Sequence, residues 1–184
     1  MKLAIVVGHN ARSQGAVRPD TGETEFAWNS RLAKMIEEEA RLFPRIRVKT
    51  FFREYCGSYR REIAAVYDQV DAWGADASNE LHFNSHSSRT ATGTEVLSSG
   101  SATSLRYAGA LQERMGAALG LKDRGVKVRR SGRGSESLMS GRAPAVLIEP
   151  FFGSSPEGQA ATDEEREQRA LARSILQATQ DAFL

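Results

Sequence analysis

One cysteine, Cys56, is all the sequence holds in 184 residues. A single thiol excludes an internal disulfide framework and any cysteine-rich zinc module. Without an activating neighbour in the sequence, Cys56 is expected to be a reduced, partly buried thiol rather than a nucleophile. No apolar run approaches the ~20 residues a membrane-crossing helix needs, so no membrane insertion is expected. The opening segment Met1–Val7 is too short for the apolar part of an export signal, and no small-residue cleavage site follows it. Synthesis without a secretion signal is the expectation. Charge of one sign is also scarce, with Lys+Arg 25 against Asp+Glu 23 and a formal net charge of +2. A whole-domain positive field of the kind that grips nucleic acid is therefore not expected. Hydrophobic residues at 40 % are enough for the core of one domain, here residues 1–184, which argues against disorder.

What is present alternates strand with helix. Leu3–Val7 and Ala145–Ile148 are unbroken apolar runs, the pattern of strands buried on both faces. Arg45–Phe52 alternates, and Leu81–Asn84, Thr94–Leu97 and Val126–Arg130 are shorter strand candidates. Apolar residues recur at helical spacing from Trp28 to Ile36, from Ile63 to Trp73 and from Leu105 to Leu119. Pro44, Gly74 and Gly120 stop these helices, and Ser58 can cap the second. A loop over Arg129–Ser140 is expected to carry one helical turn near Ser137–Met139. Thr162 and Glu165 have the spacing of a capping box opening a long final helix. The fold class implied is α/β: a twisted, mostly parallel sheet with helices on both faces.

Three histidines are present: His9, His82 and His86. His9 follows the first buried strand directly, and His82 lies within a short strand. Sites in open α/β sheets gather at the carboxyl ends of strands. Glu149 ends the run Ala145–Ile148, where an unpaired carboxylate would be costly to bury. Glu25, near a helix start, has an ordinary reading as a partner of the helix dipole. Two histidines and one glutamate nevertheless form the ligand set of many hydrolytic zinc sites, and a further glutamate is the usual proton carrier there. No H-E-x-x-H is present, so the helix-borne zinc protease arrangement is excluded. Ser135 and Ser137 lie outside any G-x-S-x-G elbow.

A strand runs into Gly8-His9-Asn10-Ala11-Arg12-Ser13-Gln14-Gly15-Ala16, and a helix then opens with Glu25 and Asn29. Leu81-His82-Phe83-Asn84, Gly93-Thr94-Glu95-Val96, Arg124-Gly125-Val126-Lys127 and Val146-Leu147-Ile148-Glu149-Pro150-Phe151-Phe152 follow in order. This succession resembles the zinc-dependent N-acetylmuramoyl-L-alanine amidases of the Amidase_3 family. Their frames are G-H-G-G-x-D-x-G-A, E-x-x-x-N, S-I-H-A-N, G-T-E-V, R-G-V-K and V-L-V-E-x-G-F. The resemblance implies that His9, Glu25 and His82 bind one Zn²⁺ per chain and that Glu149 is the catalytic carboxylate. Glu23 competes with Glu25 as a ligand, but Asn29 keeps the family offset only from Glu25. Departures are Asn10, Ala11 and Ser13, where the family has two glycines and an aspartate. His86 has no counterpart and is expected to be a solvated loop residue.

The implied reaction is hydrolysis of the amide between the muramoyl lactyl group and L-alanine of peptidoglycan. Asn84, Arg124 and Arg142 are candidates for substrate or transition-state contacts. Lacking a wall-binding module, the chain resembles lysins of phages or prophages, which reach the cell wall through a membrane lesion. The alternative is a non-catalytic binder of wall fragments or nucleic acid that uses the basic loop 124–133. That run has no interleaved aromatics, so a groove wall facing an anionic polymer is the expected role.

Overall fold

A computed structural model describes residues 1–184 and gives a six-stranded sheet in the order β2-β1-β3-β6-β4-β5. The strands are β1 (Lys2–Val7), β2 (Arg47–Phe52), β3 (Ala77–Leu81), β4 (Thr94–Ser98), β5 (Asp123–Val128) and β6 (Ala145–Glu149). The first four in sheet order, β2, β1, β3 and β6, run parallel. β4 is antiparallel to β6 and carries β5 parallel to itself at the edge. The mostly parallel α/β sheet expected from sequence is borne out, with this one reversal.

The helices are α1 (Glu25–Glu39), α2 (Tyr59–Trp73), α3 (Ala102–Leu119), α4 (Ser135–Met139), α5 (Pro156–Ala160) and α6 (Glu165–Phe183). α1, α3 and α6 cover one face, burying Trp28, Leu32, Tyr107, Leu111, Leu171 and Ile175 against Leu3, Ile5, Val146 and Ile148. The opposite face is covered less completely. There α2 packs Ile63, Val66, Tyr67 and Val70 on Ala4, Val6 and Phe51. The five-residue α4 supplies only Leu138, against Leu97, Ala145 and Leu147. A short helix cannot cover the carboxyl ends of β3 and β6, and a cavity opens above them. No helix is long and apolar enough to cross a membrane.

Several boundaries differ from the sequence expectation for physical reasons. The third strand is Ala77–Leu81 rather than Leu81–Asn84, so His82 lies just past the strand. Its residues Ser78, Asn79 and Glu80 are polar yet buried, because the strand sits in the middle of the sheet. β5 ends at Val128 rather than Arg130. The capping box of α6 is formed by Glu164 and Glu167, not Thr162 and Glu165. Thr162 is already engaged: its hydroxyl donates to Gly158 O at 2.8 Å and accepts from buried Arg18 at 3.1 Å. α4 begins at Ser135, two residues before the expected turn, and α5, a single turn capped by Ser155, has no expected counterpart. Cys56 is exposed rather than partly buried, since it lies in the loop before α2 and packs under nothing.

Candidate active site

Val7 of β1, Leu81 of β3 and Ile148 of β6 stand side by side in register. The residues that follow them therefore emerge together, and these are His9, His82 and Glu149. His9 adopts φ 65°, the left-handed region that few non-glycine residues occupy. The turn that holds it there is built by Asn10, which replaces a family glycine. Asn10 Oδ1 accepts from the backbone N–H of Arg12 at 2.9 Å and of Ser13 at 2.8 Å, while its Nδ2 donates to Glu62 Oε2 at 2.9 Å. A side chain thus folds a loop that flexible glycines would otherwise allow. Gly8 must be glycine: a Cβ there would lie 2.5 Å from His82 Nε2 and from Leu81 O.

Glu25 reaches the same place from the first turn of α1, whose cap is Thr24 Oγ1 accepting from Ala27 N at 3.2 Å. The Glu25 carboxylate is fixed by backbone donors on both oxygens, Ala16 N on Oε2 and Phe83 N on Oε1, each at 3.2 Å. His82 Nδ1 approaches Oε1 at 2.8 Å. His9 Nε2 lies 3.1 Å from Oε2 but is too poorly aligned to hydrogen-bond, so this buried nitrogen keeps an unused lone pair. Donor atoms of His9, Glu25 and His82 all fall within 4.8 Å of one another. Gly15 closes the cradle, since a Cβ at its φ of +78° would meet Glu25 Oε2 and His9 Nε2 at 2.7 Å. Two imidazoles and one carboxylate around a shared point, with an unsatisfied nitrogen among them, fit a zinc ion.

Electrostatics here are strongly perturbed. Burial alone would raise the Glu25 carboxyl, but the His82 hydrogen bond and the nearness of His9 hold it far below the usual range. Burial opposes a charge on His82, yet hydrogen bonds to Glu25 and Glu80 raise it to about 10. Glu80 was not singled out from sequence. Its Oε1 meets His82 Nε2 at 3.0 Å, and the residue is 1 % exposed. Position supplied the only available signal: an acid two residues before His82 points to the same side of an extended chain. Glu149 has one oxygen buried without a partner, and burial above all pushes its carboxyl up to about 8.

His9, His82, Asn84 and Glu149 line a cavity of about 390 Å³, together with Arg53, Arg129 and Arg133. Of the candidate contacts, Asn84 is therefore in place. Arg124 is engaged elsewhere, donating to Glu95 Oε2 at 2.7 Å and stacking over Phe152. Arg142 does not reach the cavity: its side chain is 91 % exposed and pairs with Asp71. Glu23 is held outside the cluster by Arg31. His86 is exposed in a surface loop, its Nδ1 accepting from Ser88 N at 2.9 Å. The basic run 124–133 forms no continuous stripe, because Arg124 and Lys127 both pair with Glu95.

Comparison with known proteins gives a concordant result. The family model for N-acetylmuramoyl-L-alanine amidase, Amidase_3, matches residues 3–181. No curated protein sequence matches the chain. Among solved structures, similarity extends to the catalytic domain of CwlV, an N-acetylmuramoyl-L-alanine amidase from Bacillus (Paenibacillus) polymyxa var. colistinus. That match has a TM-score of 0.81 at 23 % identity and covers 98 % of this chain and 97 % of the other. An N-acetylmuramoyl-L-alanine amidase from Clostridium difficile 630 aligns with a TM-score of 0.82 at 24 % identity, over 98 % and 95 % of the two chains. The catalytic domain of an endolysin targeting Clostridia difficile gives a TM-score of 0.84 at 24 % identity, over 98 % and 97 %. At these identities the structural likeness establishes a shared fold.

Proposed function

The chain belongs to the Amidase_3 family of N-acetylmuramoyl-L-alanine amidases, which hydrolyse peptidoglycan, and from that premise we propose a zinc-dependent hydrolysis with Glu149 as the proton carrier. The observation that carries this reading is the convergence of His9, Glu25 and His82 donors within 4.8 Å, beside the unpaired Glu149 carboxyl. His9 Nε2, Glu25 and His82 Nδ1 would hold the ion. When bound, Zn²⁺ supplies a Lewis acid that polarises the amide carbonyl and makes water nucleophilic near neutral pH.

The remaining work falls to the chain's own groups. Glu149 accepts a proton from the attacking water as the new C–O bond forms. It then delivers that proton to the L-alanine nitrogen as the C–N bond breaks, giving a muramoyl lactyl carboxylate and a peptide amine. The Glu149 carboxyl, buried with one oxygen unpartnered beside the proposed ligands, is free to take that proton and return it. Glu25, held by the backbone N–H groups of Ala16 and Phe83, keeps its oxygens oriented without reorganising during turnover. Asn84 lines the cavity and offers an amide to the substrate.

Metal analysis of the purified protein, paired with a turbidity assay on bare peptidoglycan, tests the proposal. One zinc per chain is expected, with clearing lost on chelation and restored by zinc. A metal-free protein that clears peptidoglycan at full rate would refute it. The finer reading is a phage or prophage lysin that reaches the wall through a membrane lesion, supported by the fold shared with an endolysin domain. Expression inside a Gram-negative cell is then expected to cause lysis only when the inner membrane is permeabilised. Lysis without permeabilisation would contradict that assignment.

A further inference from the structure

We propose that Arg129 and Arg133 form a carboxylate subsite in the catalytic cleft, so that the favoured substrate is a muramoyl peptide with a free carboxylate close to the scissile amide. This inference rests on the amidase reading of the same cleft and names the chemistry of the peptide it accepts. Both arginines lie on the loop between β5 and α4, and both line the cavity that contains His9, His82 and Glu149. The other basic side chains around the cleft are committed. Arg53 lies 3.3 Å from Glu62, and Arg124 and Lys127 pair with Glu95. Arg129 and Arg133 are the two cavity-lining guanidinium groups with no carboxylate partner.

The loop that presents them is anchored. Arg129 N donates to Ser98 O at 2.9 Å, and Ser135 closes the far end through its N–H and hydroxyl, both to Gly132 O at 3.1 and 2.7 Å. Gly134, at φ +82°, sits so close to the sheet that a Cβ would lie 3.3 Å from Leu97 and 3.4 Å from Leu147. The cleft walls behind it carry Glu95 and Glu149, and Glu25 and Glu80 stand around His82. The acids among them are already engaged or buried, which leaves Arg129 and Arg133 as the free charges at the cleft. Guanidinium matches a peptide carboxylate with two parallel hydrogen bonds.

The test compares two muramoyl peptides that are identical except that one carries the carboxyl next after L-alanine free and the other carries it as an amide. Wild-type kcat/KM is expected to favour the free acid about 10- to 100-fold, the range of a charge-assisted hydrogen bond expressed as a rate ratio. In Arg129→Gln/Arg133→Gln that ratio is expected to fall towards one. Arg130→Gln is the control. Its guanidinium packs beside Gly100 rather than in the cleft, so it should keep the wild-type ratio. Equal rates on both peptides with wild-type protein would overturn the subsite. So would a double variant that is slower on both but keeps the ratio, because the arginines would then act on Glu149 rather than on the peptide. Equilibrium binding of the same pair to Glu149→Gln reads the subsite without turnover. Tighter binding of the free acid by about tenfold is expected, and equal affinity refutes the subsite. Absence of hydrolysis by wild type would count against the amidase reading alone.

Discussion

Replacing Glu80 probes the proposed metal site through a residue outside the proposed ligand set. Glu80 and His82 lie on the same side of the extended chain, and Glu80 Oε1 takes up His82 Nε2 at 3.0 Å while Nδ1 faces Glu25 at 2.8 Å. If His82 offers Nδ1 to an ion, its Nε2–H must donate to Glu80, which sets both tautomer and ring orientation. Glu80 also supplies charge. A dication held by one ligand carboxylate is left half-neutralised in a site where Glu80 is 1 % exposed; a second carboxylate completes the balance. Loss of such an outer partner costs about 10- to 100-fold in metal affinity, or ~1.4–2.7 kcal/mol. Glu80→Gln keeps an acceptor oxygen and loses only the charge, so about tenfold is expected; Glu80→Ala loses both and should approach 100-fold. Zinc affinity is read by competition with a chelator of known strength. Thermal unfolding in excess chelator separates a weakened site from a weakened fold. Wild-type zinc affinity in Glu80→Ala would refute the reasoning.

The Glu149→Gln protein should bind zinc normally and lose activity by ~10²–10⁴-fold, as released stem peptides would report; loss of zinc instead would make Glu149 a ligand. His82→Ala is expected to abolish both zinc retention and activity, whereas His86→Ala, altered in an exposed loop, keeps both; equal losses would show the wrong histidine was assigned. In chelator-stripped protein His82 is raised from its ordinary 6.5 to about 10, against its burial, by Glu25 and Glu80. A raised value means its stabilisation is full below about 6.5 and is lost as pH rises through about 10. The melting temperature of the metal-free form should therefore fall from pH 7 to pH 10, and a flat profile would exclude the charged His82.

Much of this arrangement was legible in the chain because its signals are local. β1 and β6 are read as continuous apolar runs, since parallel strands in the sheet centre face apolar helices or walls on both sides. Gly74 and Gly120 stop helices as expected, each in the left-handed conformation at a C-cap. β3 starts at Ala77, ahead of the apolar signal at Leu81, because polar Ser78-Asn79-Glu80 hides the strand pattern. The same polarity concealed Glu80, whose importance depends on a neighbour two residues away and on burial, neither visible as a motif. Arg142, a candidate contact, lies outside the cavity, exposed beside Asp71 of α2, a neighbour far away in sequence. Asn10 shows the converse. A departure from the family glycine is accommodated by hydrogen bonds that the residue type permits but does not announce.

Strand order has a consequence for how the protein comes into being on the ribosome. β6, the last strand to be made, lies between β3 and β4 in the middle of the sheet. Until residue 145 has emerged, β2-β1-β3 and β4-β5 are two fragments with bare inner edges, and no sequential pairing can join them. The nascent chain must keep these edges apart from each other and from other chains until the joining strand arrives. All three proposed metal ligands come from the first fragment or the segments around it, whereas Glu149 arrives on the joining strand itself. A half-made chain holds all three proposed ligands and lacks the proposed proton carrier. On the proposed mechanism, hydrolytic competence is thereby tied to the arrival of the joining strand, and a chain ending before it would be inert.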